Sequence, residues 1–572
     1  MEAITARQYA RQFVPKLYTV LRGGYSWSDL RSDAIAGLTV AIVALPLAMA
    51  LAIASGTTPE KGLYTAIVAG FLISALGGSR VQIGGPTAAF IPVVFVVIQK
   101  FGFGGLILCT LLAGLMLIAA GLLRLGTLVK YMPQPVITGF TAGIAVSIFS
   151  SQVKDVLGLR MGAVPADFFA RWSAYAQHLP SMQLSTLAIA LLGLVVIATL
   201  RRWRPGWPGF LIALLICTAL SVGLALPIET IGSRFGNLPA SLPMFAFPHI
   251  PLERTRELFP SAFTIAFLAG VESLLSAVVA DGMTGGRHRS NGELVAQGVA
   301  NVASALFGGL PATGAIARTA TNIRAGGRTP IAGMLHAVFI LLFMLLLAPL
   351  MRYVPLAALA AVLLVVAWNM SEVENFRHTM SAPKGDRLVL LLTFGLTVFI
   401  DLTVAIEVGL VVASFVFMFR MADAVEVSSG LTLIDGDDER NAETDEGQRI
   451  GLPRDVEVYQ ISGPLFFGAA NRLDDLLDQF FKQPKVFILR MRLVPFIDAS
   501  GVHALKTLAE RCRRRGIVLV VSGLQSQPRR VIEKMDLQPH DGELHFTENY
   551  QDALVLAGSL VDMPFVEGIA GI

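Results

Sequence analysis

Residues 84–90 read Gly-Gly-Pro-Thr-Ala-Ala-Phe, and residues 308–314 read Gly-Gly-Leu-Pro-Ala-Thr-Gly. Each stretch opens an unusually short apolar segment, about 86–99 and 312–323. A helix that crosses a bilayer needs about 20 mostly apolar residues. Working outward, twelve blocks closer to that size lie near 34–54, 61–77, 104–123, 133–153, 184–200, 208–226, 259–280, 292–308, 331–350, 354–370, 387–400 and 402–420. With the two short pieces this makes fourteen segments, seven before Pro227 and seven after it, and each short piece is the third of its half. A unit with an odd number of spans, repeated in tandem, must be inverted in the membrane. Short Gly/Pro-interrupted segments at matching places in two halves point to a transporter's midplane site.

The reason lies in backbone hydrogen bonding. Non-helical backbone is tolerated at membrane depth only where protein or a water-filled cavity surrounds it. Gly85-Pro86 and Leu310-Pro311 are expected to be extended approaches, with a half-helix starting just after each proline. Inversion aims the two half-helix N-termini at each other near the bilayer centre. Each carries about half a positive charge and several free N–H groups, which suits a small anion. Thr87, Ala88, Ala89, Thr313, Gly314 and Ala315 are the candidate lining, small enough for a ligand to approach the backbone. The alternative is that the Gly-Pro pairs are simple kinks.

Composition excludes the other broad classes. The chain has 572 residues, 54% hydrophobic and only 15% charged, against about 25% charged in soluble domains. A formal charge of +4 is small for this length and gives no reason to expect a nucleic-acid partner. Cys109, Cys217 and Cys512 form no disulfide framework. Met1 to Asp33 carries no cleavable signal pattern. The expectation is a polytopic α-helical membrane protein in contact with lipid.

Arg80, Arg124, Lys130, Arg201, Arg202, Arg204, Arg287, Arg289, Arg324, Arg328, Arg377, Lys384 and Arg387 fall in one set of short connections. The opposite set includes two long loops, roughly 154–183 and 227–258, with fewer basic residues per length. The positive-inside rule places the first set and both termini in the cytoplasm. Residues 1–32 then form a cytoplasmic N-terminal segment and 33–421 the membrane domain, with repeats at about 33–226 and 259–420. Residues 422–453 read as an acidic linker and 561–572 as a tail. Between them, 454–560 alternates VEVYQIS, PLFF, KVFILRM and IVLVVSG, as strands, with NRLDDLLDQFFKQ and SGVHALKTLAERCRRRG, as amphipathic helices. That pattern predicts a small cytoplasmic α/β domain.

Few ionisable residues lie inside the spans. Glu272, in FTIAFLAGVESLLSAVVA, is a functional candidate by default. A carboxyl at that depth takes up a proton or pairs with a cation; a structural hydrogen bond to a neighbouring helix is the plainer role. Ser276 lies one turn further on the same face. Arg318, inside the second short segment, either neutralises an anion, pairs with Glu272, or snorkels to the cytoplasmic face. His336 reads as a packing residue, and Asp401 as part of an outer turn. No metal-ligand spacing, phosphate loop or nucleophile elbow occurs in the membrane part, so no enzyme and no cofactor is expected.

DAIAGLTVAIVALPLAMALA (33–52), GLYTAIVAGF (62–71), GGPTAAF (84–90), NGELVAQGVAN (291–301) and TGAIARTATNIRAGGRTPIAG (313–333) together resemble the SulP family, the sulfate-permease group of anion transporters. GPLFFGAANRL (463–473) and LRMRLVPFIDASGVHAL (489–505) are similar to a STAS domain. The resemblance implies seven plus seven inverted segments divided into core and gate subdomains, an elevator-like movement of the core, and homodimers. It implies that Glu272 binds Na⁺ or H⁺, with Ser276 a nearby cation-site hydroxyl. The Thr87–Ala88 and Gly314–Ala315 backbones are then the anion contacts, beside Arg318.

Many members carry Gln after the first-span proline; here Leu47 follows Pro46. PLAMALAIASG, DGMTGG (281–286) and AWNMSE (367–372) are similar to the bacterial C4-dicarboxylate branch, and bicarbonate transporters share the Pro-Leu-Ala form. In STAS-containing anti-sigma antagonists a loop similar to Asp498-Ala499-Ser500-Gly501 carries a phosphorylated hydroxyl, which makes Ser500 a candidate phosphosite, with helix capping by the Ser or the Asp as the alternative. The STAS domain is a candidate docking point for a cytosolic partner.

The expected function is secondary active transport of a small anion across the bacterial inner membrane. Proton-coupled uptake of a C4-dicarboxylate comes first, then bicarbonate, then sulfate. The rival classes are a STAS-based sensor and a passive anion channel.

Overall fold

The computed structural model describes residues 12–127, 132–162, 164–204, 206–237, 254–429, 455–468, 483–540 and 543–561, with single residues 239, 241 and 245. It divides into two compact units, Met1–Ala413 and Ser414–Ile572.

The first unit holds the membrane helices as far as the middle of the last one, Leu402–Asp423. Spans 1 and 2 are Trp27–Ala54 and Pro59–Leu76. Spans 3 and 4 form one helical stretch, Ile91–Leu122, broken at Gly102, whose φ of 69° a side chain would strain. Spans 5 to 7 are Gln134–Leu157, Leu184–Trp203 and Gly209–Gly223. Spans 8 to 11 are Thr255–Thr284, Ser290–Leu306, the short Ile316–Arg324, and Pro330–Met351. Spans 12 to 14 are Leu356–Met370, Lys384–Phe399 and Leu402–Asp423. Among the described residues these are the fourteen pieces anticipated from the apolar blocks.

The helices pack in two groups. Spans 1–4 and 8–11 pack on one another, as do spans 5–7, 12 and 13, giving a core and a gate. Small residues set the closeness within the core. A Cβ on Gly114 of span 4 would lie 2.8 Å from the Gly298 carbonyl of span 9. Two short strands, β1 (Gly84–Gly85) and β2 (Thr313–Gly314), pair antiparallel, Gly84 opposite Gly314 and Gly85 opposite Thr313. They belong to matching positions of the two halves, and the pairing joins the repeats at the centre of the core.

Two expectations need correction. The half-helices do not start directly after Pro86 and Pro311: β2 separates Pro311 from Ile316, and Thr87 separates Pro86 from the 3₁₀ turn Ala88–Phe90. Strand pairing satisfies backbone groups that a longer helix would have satisfied internally. The N-terminal segment is also partly helical. A short helix covers Lys16–Arg22, and span 1 begins at Trp27, where Ser26 and Asp29 form a capping box.

In the second unit, five strands run in the order β3-β4-β5-β6-β7. They are Glu426–Ser429, Val456–Ser462, Val486–Leu493, Val518–Ser522 and Leu544–Thr547. β3 is antiparallel to β4 and the rest are parallel. Phe487, Leu489 and Val521 face the helix Ala499–Arg514, whereas Ile488 and Val520 pack on Ala553 and Ala557 of the helix Tyr550–Leu560. Burial on both faces explains why the strands read as unbroken apolar runs.

PLFF is not a strand; Leu465 makes only an isolated bridge to Ile497. Gly463 at φ 103° turns the chain just before it. The start of the expected acidic linker is structured, because 426–429 pair onto β4. Residues 430–454, the helix NRLDDLLDQFFKQ up to 482, Lys130 and the tail from 562 lie outside the described residues.

Candidate functional site

The site is built on two stretches of extended backbone whose polar groups are almost all accounted for. In the first, Asn322 Nδ2 donates to the Val81 carbonyl at 2.8 Å and Ser74 Oγ to that of Gln82 at 3.4 Å. Ile83 N–H donates to Thr319 Oγ1 at 3.1 Å, and Ala315 N–H donates to the Ile83 carbonyl at 2.9 Å. In the second, Thr65 Oγ1 accepts from Leu310 N–H at 2.6 Å and Ser304 Oγ donates to the Leu310 carbonyl at 2.6 Å. Asn301 clamps Ala312 from both sides, accepting its N–H at 2.9 Å and donating to its carbonyl at 2.8 Å. Most of this irregular backbone is thereby partnered, as its depth in a membrane requires.

The 3₁₀ turn Ala88–Phe90 leads into span 3, and Ile316 starts span 10. Neither has a side-chain cap. Their leading N–H groups are the kind that hold anions. Ala88, Ala89, Thr313, Gly314 and Ala315 are buried, while Thr87 and Glu272 are partly exposed. Thr87 Oγ1 donates to Glu272 Oε2 at 2.9 Å, linking the first half-helix to the middle of span 8. The site therefore opens where these two side chains meet.

Arg318 is 4% exposed and does not snorkel. Its Nη2 donates to the Pro86 carbonyl in the opposite half. Among the described residues it forms no ion pair, with Glu272 or otherwise, though the two charges are within electrostatic reach. Gly85, at φ 148°, is required here: a Cβ would lie 2.6 Å from Arg318 Nη1. Thr313 Oγ1 donates to the Ala269 carbonyl of span 8 at 2.8 Å, so its hydroxyl serves the scaffold. Ser276 Oγ lies 3.2 Å from Thr319 Oγ1, bracing span 8 against span 10. Span 8 starts at Thr255, earlier than the apolar block, which puts Glu272 close to the middle of a 30-residue helix.

Several contributors escaped the sequence reading. Glu293, fully buried, accepts from Gly78 N–H at 2.8 Å, Ser79 N–H at 3.2 Å, Ser273 Oγ at 3.1 Å and Gln297 Nε2 at 2.8 Å. Gln82 Nε2 donates to Ser273 Oγ at 2.9 Å, and its amide lies against Gly314. The signal for this support was the spacing of Glu293, Gln297 and Asn301, four residues apart on one face of span 9. Asp33, also fully buried, accepts from Arg328 N–H at 2.8 Å and Thr329 N–H at 3.2 Å at the start of span 11. His336 is fully buried in span 11. Asp401 accepts from Thr403 N–H at 2.7 Å between spans 13 and 14.

In the second unit, Asp498 rather than Ser500 caps the helix Ala499–Arg514, accepting from Gly501 N–H at 2.8 Å. Ser500 sits in the first turn, half-buried.

Comparison with known proteins extends this picture. The family model described as the sulfate permease family matches residues 30–393, and the STAS domain model matches 451–553. The chain is 43% identical over 532 residues to the putative sulfate transporter YvdB of Bacillus subtilis, covering 92% of this chain and 98% of that one. It is 30% identical to the bicarbonate transporter BicA of Synechocystis, over 89% and 91% of the two chains. The solved transmembrane domain of a cyanobacterial BicA superposes with a TM-score of 0.62 at 31% identity, covering 67% of this chain and 98% of that one. The murine Solute Carrier 26 family member A9 anion transporter, in its inward-facing state, shares the fold with a TM-score of 0.86 at 19% identity, over 98% and 96%. The chain belongs to the sulfate permease family of multi-pass anion transporters and carries a C-terminal STAS domain.

Proposed function

We propose that the protein is a secondary active carrier that takes up a C4-dicarboxylate together with a proton. The observation that carries the coupling is the position of Glu272: a carboxyl hydrogen-bonded to Thr87 at 2.9 Å, at the mouth of two uncapped half-helix N-termini and near buried Arg318. An ionised Glu272 repels an anion entering that mouth. A protonated one removes the repulsion and leaves the Arg318 charge and the helix dipoles to hold the ligand. Anion and proton then bind together, which is symport.

A proton fits better than Na⁺. Among the described residues Thr87 is the one hydrogen-bond partner of the Glu272 carboxylate, whereas a hard cation needs several oxygens. The substrate choice rests on the PLAMALAIASG, DGMTGG and AWNMSE wording. Bicarbonate and sulfate are the competing substrates, because the relatives bear those names. The core would carry the site past the gate in an elevator-like movement. The Arg-rich connections would face the cytoplasm of a bacterial cell, with two chains forming a homodimer and the STAS domain binding a cytosolic partner.

The test is uptake of labelled succinate into proteoliposomes, with and without an inward proton gradient. Saturable, gradient-driven uptake that fumarate competes for supports the reading. Transport of bicarbonate or sulfate without succinate discards the substrate and keeps the site. Unsaturable, gradient-indifferent flux makes the protein a channel. Deletion of residues 431–572 should leave a transporter some flux, whereas a signalling output that this deletion abolishes would make the protein a sensor.

A further inference from the structure

A second buried arginine lies away from the ribbon. Arg171, in the helix Phe168–His178 between spans 5 and 6, is only 8% exposed. Its Nε donates to the Pro165 carbonyl at 3.0 Å and its Nη2 to that of Ala166 at 2.9 Å. A guanidinium has five N–H donors, so three are left without a protein acceptor among the described residues. No carboxylate pairs with it there either. A buried charge is costly unless it is paired.

Arg171 lines a cavity of about 430 Å³ between core and gate. One wall is span 3, with Phe95 under the guanidinium at 5.9 Å. The other is span 5, with Ser147, Ser151 and Gln152. The floor reaches Ile91 and Pro92, just past the turn Ala88–Phe90 of the candidate site. The cavity lies at the ends of the spans opposite the Arg-rich connections.

The other charges in the cavity are already committed. Arg234 pairs with Asp155 at 2.8 Å. Lys154 Nζ donates to the Met161 and Gly162 carbonyls, each at 3.0 Å. Asp167 accepts from Ala170 N–H at 2.8 Å, and Asp401 from Thr403 N–H at 2.7 Å. Three cations and three carboxylates cancel, so the cavity is no general anion trap. Its unspent recognition is the set of free Arg171 donors, a planar fork that matches a carboxylate or another oxyanion.

We propose that Arg171 forms a separate anion subsite in this cavity, holding the carboxylate or oxyanion group of the transported species before it reaches Thr87 and Arg318. The entry side rests on the orientation proposed above; the subsite itself does not.

The test uses the full chain in oriented proteoliposomes. For Arg171→Gln, the KM for labelled succinate added at the cavity side should rise about tenfold, with maximal rate held within about twofold. KM from the opposite side should stay unchanged. Arg171→Lys keeps the charge and loses the planar fork, so its KM should fall between those of the parent and the Gln variant. If the parent carries bicarbonate or sulfate and not succinate, the same comparison is made with that anion, so failure of the substrate reading is separable. Arg171→Cys gives a second route, because the three native cysteines are buried. A cationic methanethiosulfonate should lower the KM toward that of the Lys variant, and a neutral one should not. An effect on KM from the supposed cytoplasmic side alone reverses the orientation and keeps the subsite. An unchanged KM in Arg171→Gln, an equal loss of maximal rate in the Gln and Lys variants, or equal action of the two reagents overturns it.

Discussion

Residues 81–87 and 310–315 occupy matching places in the two halves, yet their backbones are held from different sources. The second stretch is held mainly by its own half, through Asn301 and Ser304 of span 9, with Thr65 added from span 2. The first borrows most of its partners: Asn322, Thr319 and Arg318 reach across from span 10, with Ser74 of its own half added. Both charged candidates, Glu272 and Arg318, also come from the second half, and the first contributes Thr87 and small residues. Repeats that began alike have divided the work. One half is the platform, and the other supplies the scaffold and the charge.

The largest test of that division is Glu272→Gln, which keeps the size and removes the ionisable group. Gradient-driven uptake should fall about a hundredfold or more, with the protein still folded. Proton-stimulated uptake at the parental rate would leave the second half without its coupling role. Next comes the contrast between Asn301→Ala and Asn322→Ala. The first strips two hydrogen bonds from Ala312 and should cost about 2–4 kcal/mol, and the second strips one from Val81 and should cost about half that. Thermal unfolding in detergent reads the difference, and equal losses would erase the asymmetry.

Thr87→Val removes the hydroxyl that joins the platform to Glu272. A single hydrogen bond to a charged group is worth roughly 1.5–3 kcal/mol, so its loss favours the protonated carboxyl that admits the anion, and KM at neutral pH should fall about tenfold while folded yield holds. In the STAS domain Asp498→Ala should cost about 1 kcal/mol as a lost helix cap, and Ser500→Ala should cost almost nothing. The reverse order would give the hydroxyl the structural role. The smallest effect is chemical. Burial pushes the Cys512 thiol up to about 12, so little reactive thiolate exists at neutral pH. Maleimide labelling of the native protein should be slow and should speed up as pH rises; fast labelling at pH 7 would show that this core opens.

Much of the architecture was legible because bilayer thickness acts on sequence locally. A run of apolar residues announces a span without reference to anything distant, and Arg clusters mark the connections. The Gly-Pro stretches were legible for the same reason, since helix interruption is written in a few adjacent residues. The strand β3 was not, because EVSS becomes a strand only by pairing with 459–462. Nor was Glu293, which lies among ordinary span residues and gains its meaning from the loop at Gly78 and Ser79 that it anchors.

The sequence by itself determined the number of spans, the two interrupted segments at matching positions and the presence of a small α/β domain. Each follows from hydrophobicity, period or backbone chemistry within a short window. Only the tertiary structure decided that Gly84–Gly85 pairs with Thr313–Gly314, that Arg318 reaches Pro86 rather than Glu272 or the surface, and that Arg171 is buried with no ion pair among the described residues. These are relations between residues separated by tens to hundreds of positions. A buried polar group takes whichever partner the packed helices bring within about 3 Å, and no local pattern records that choice.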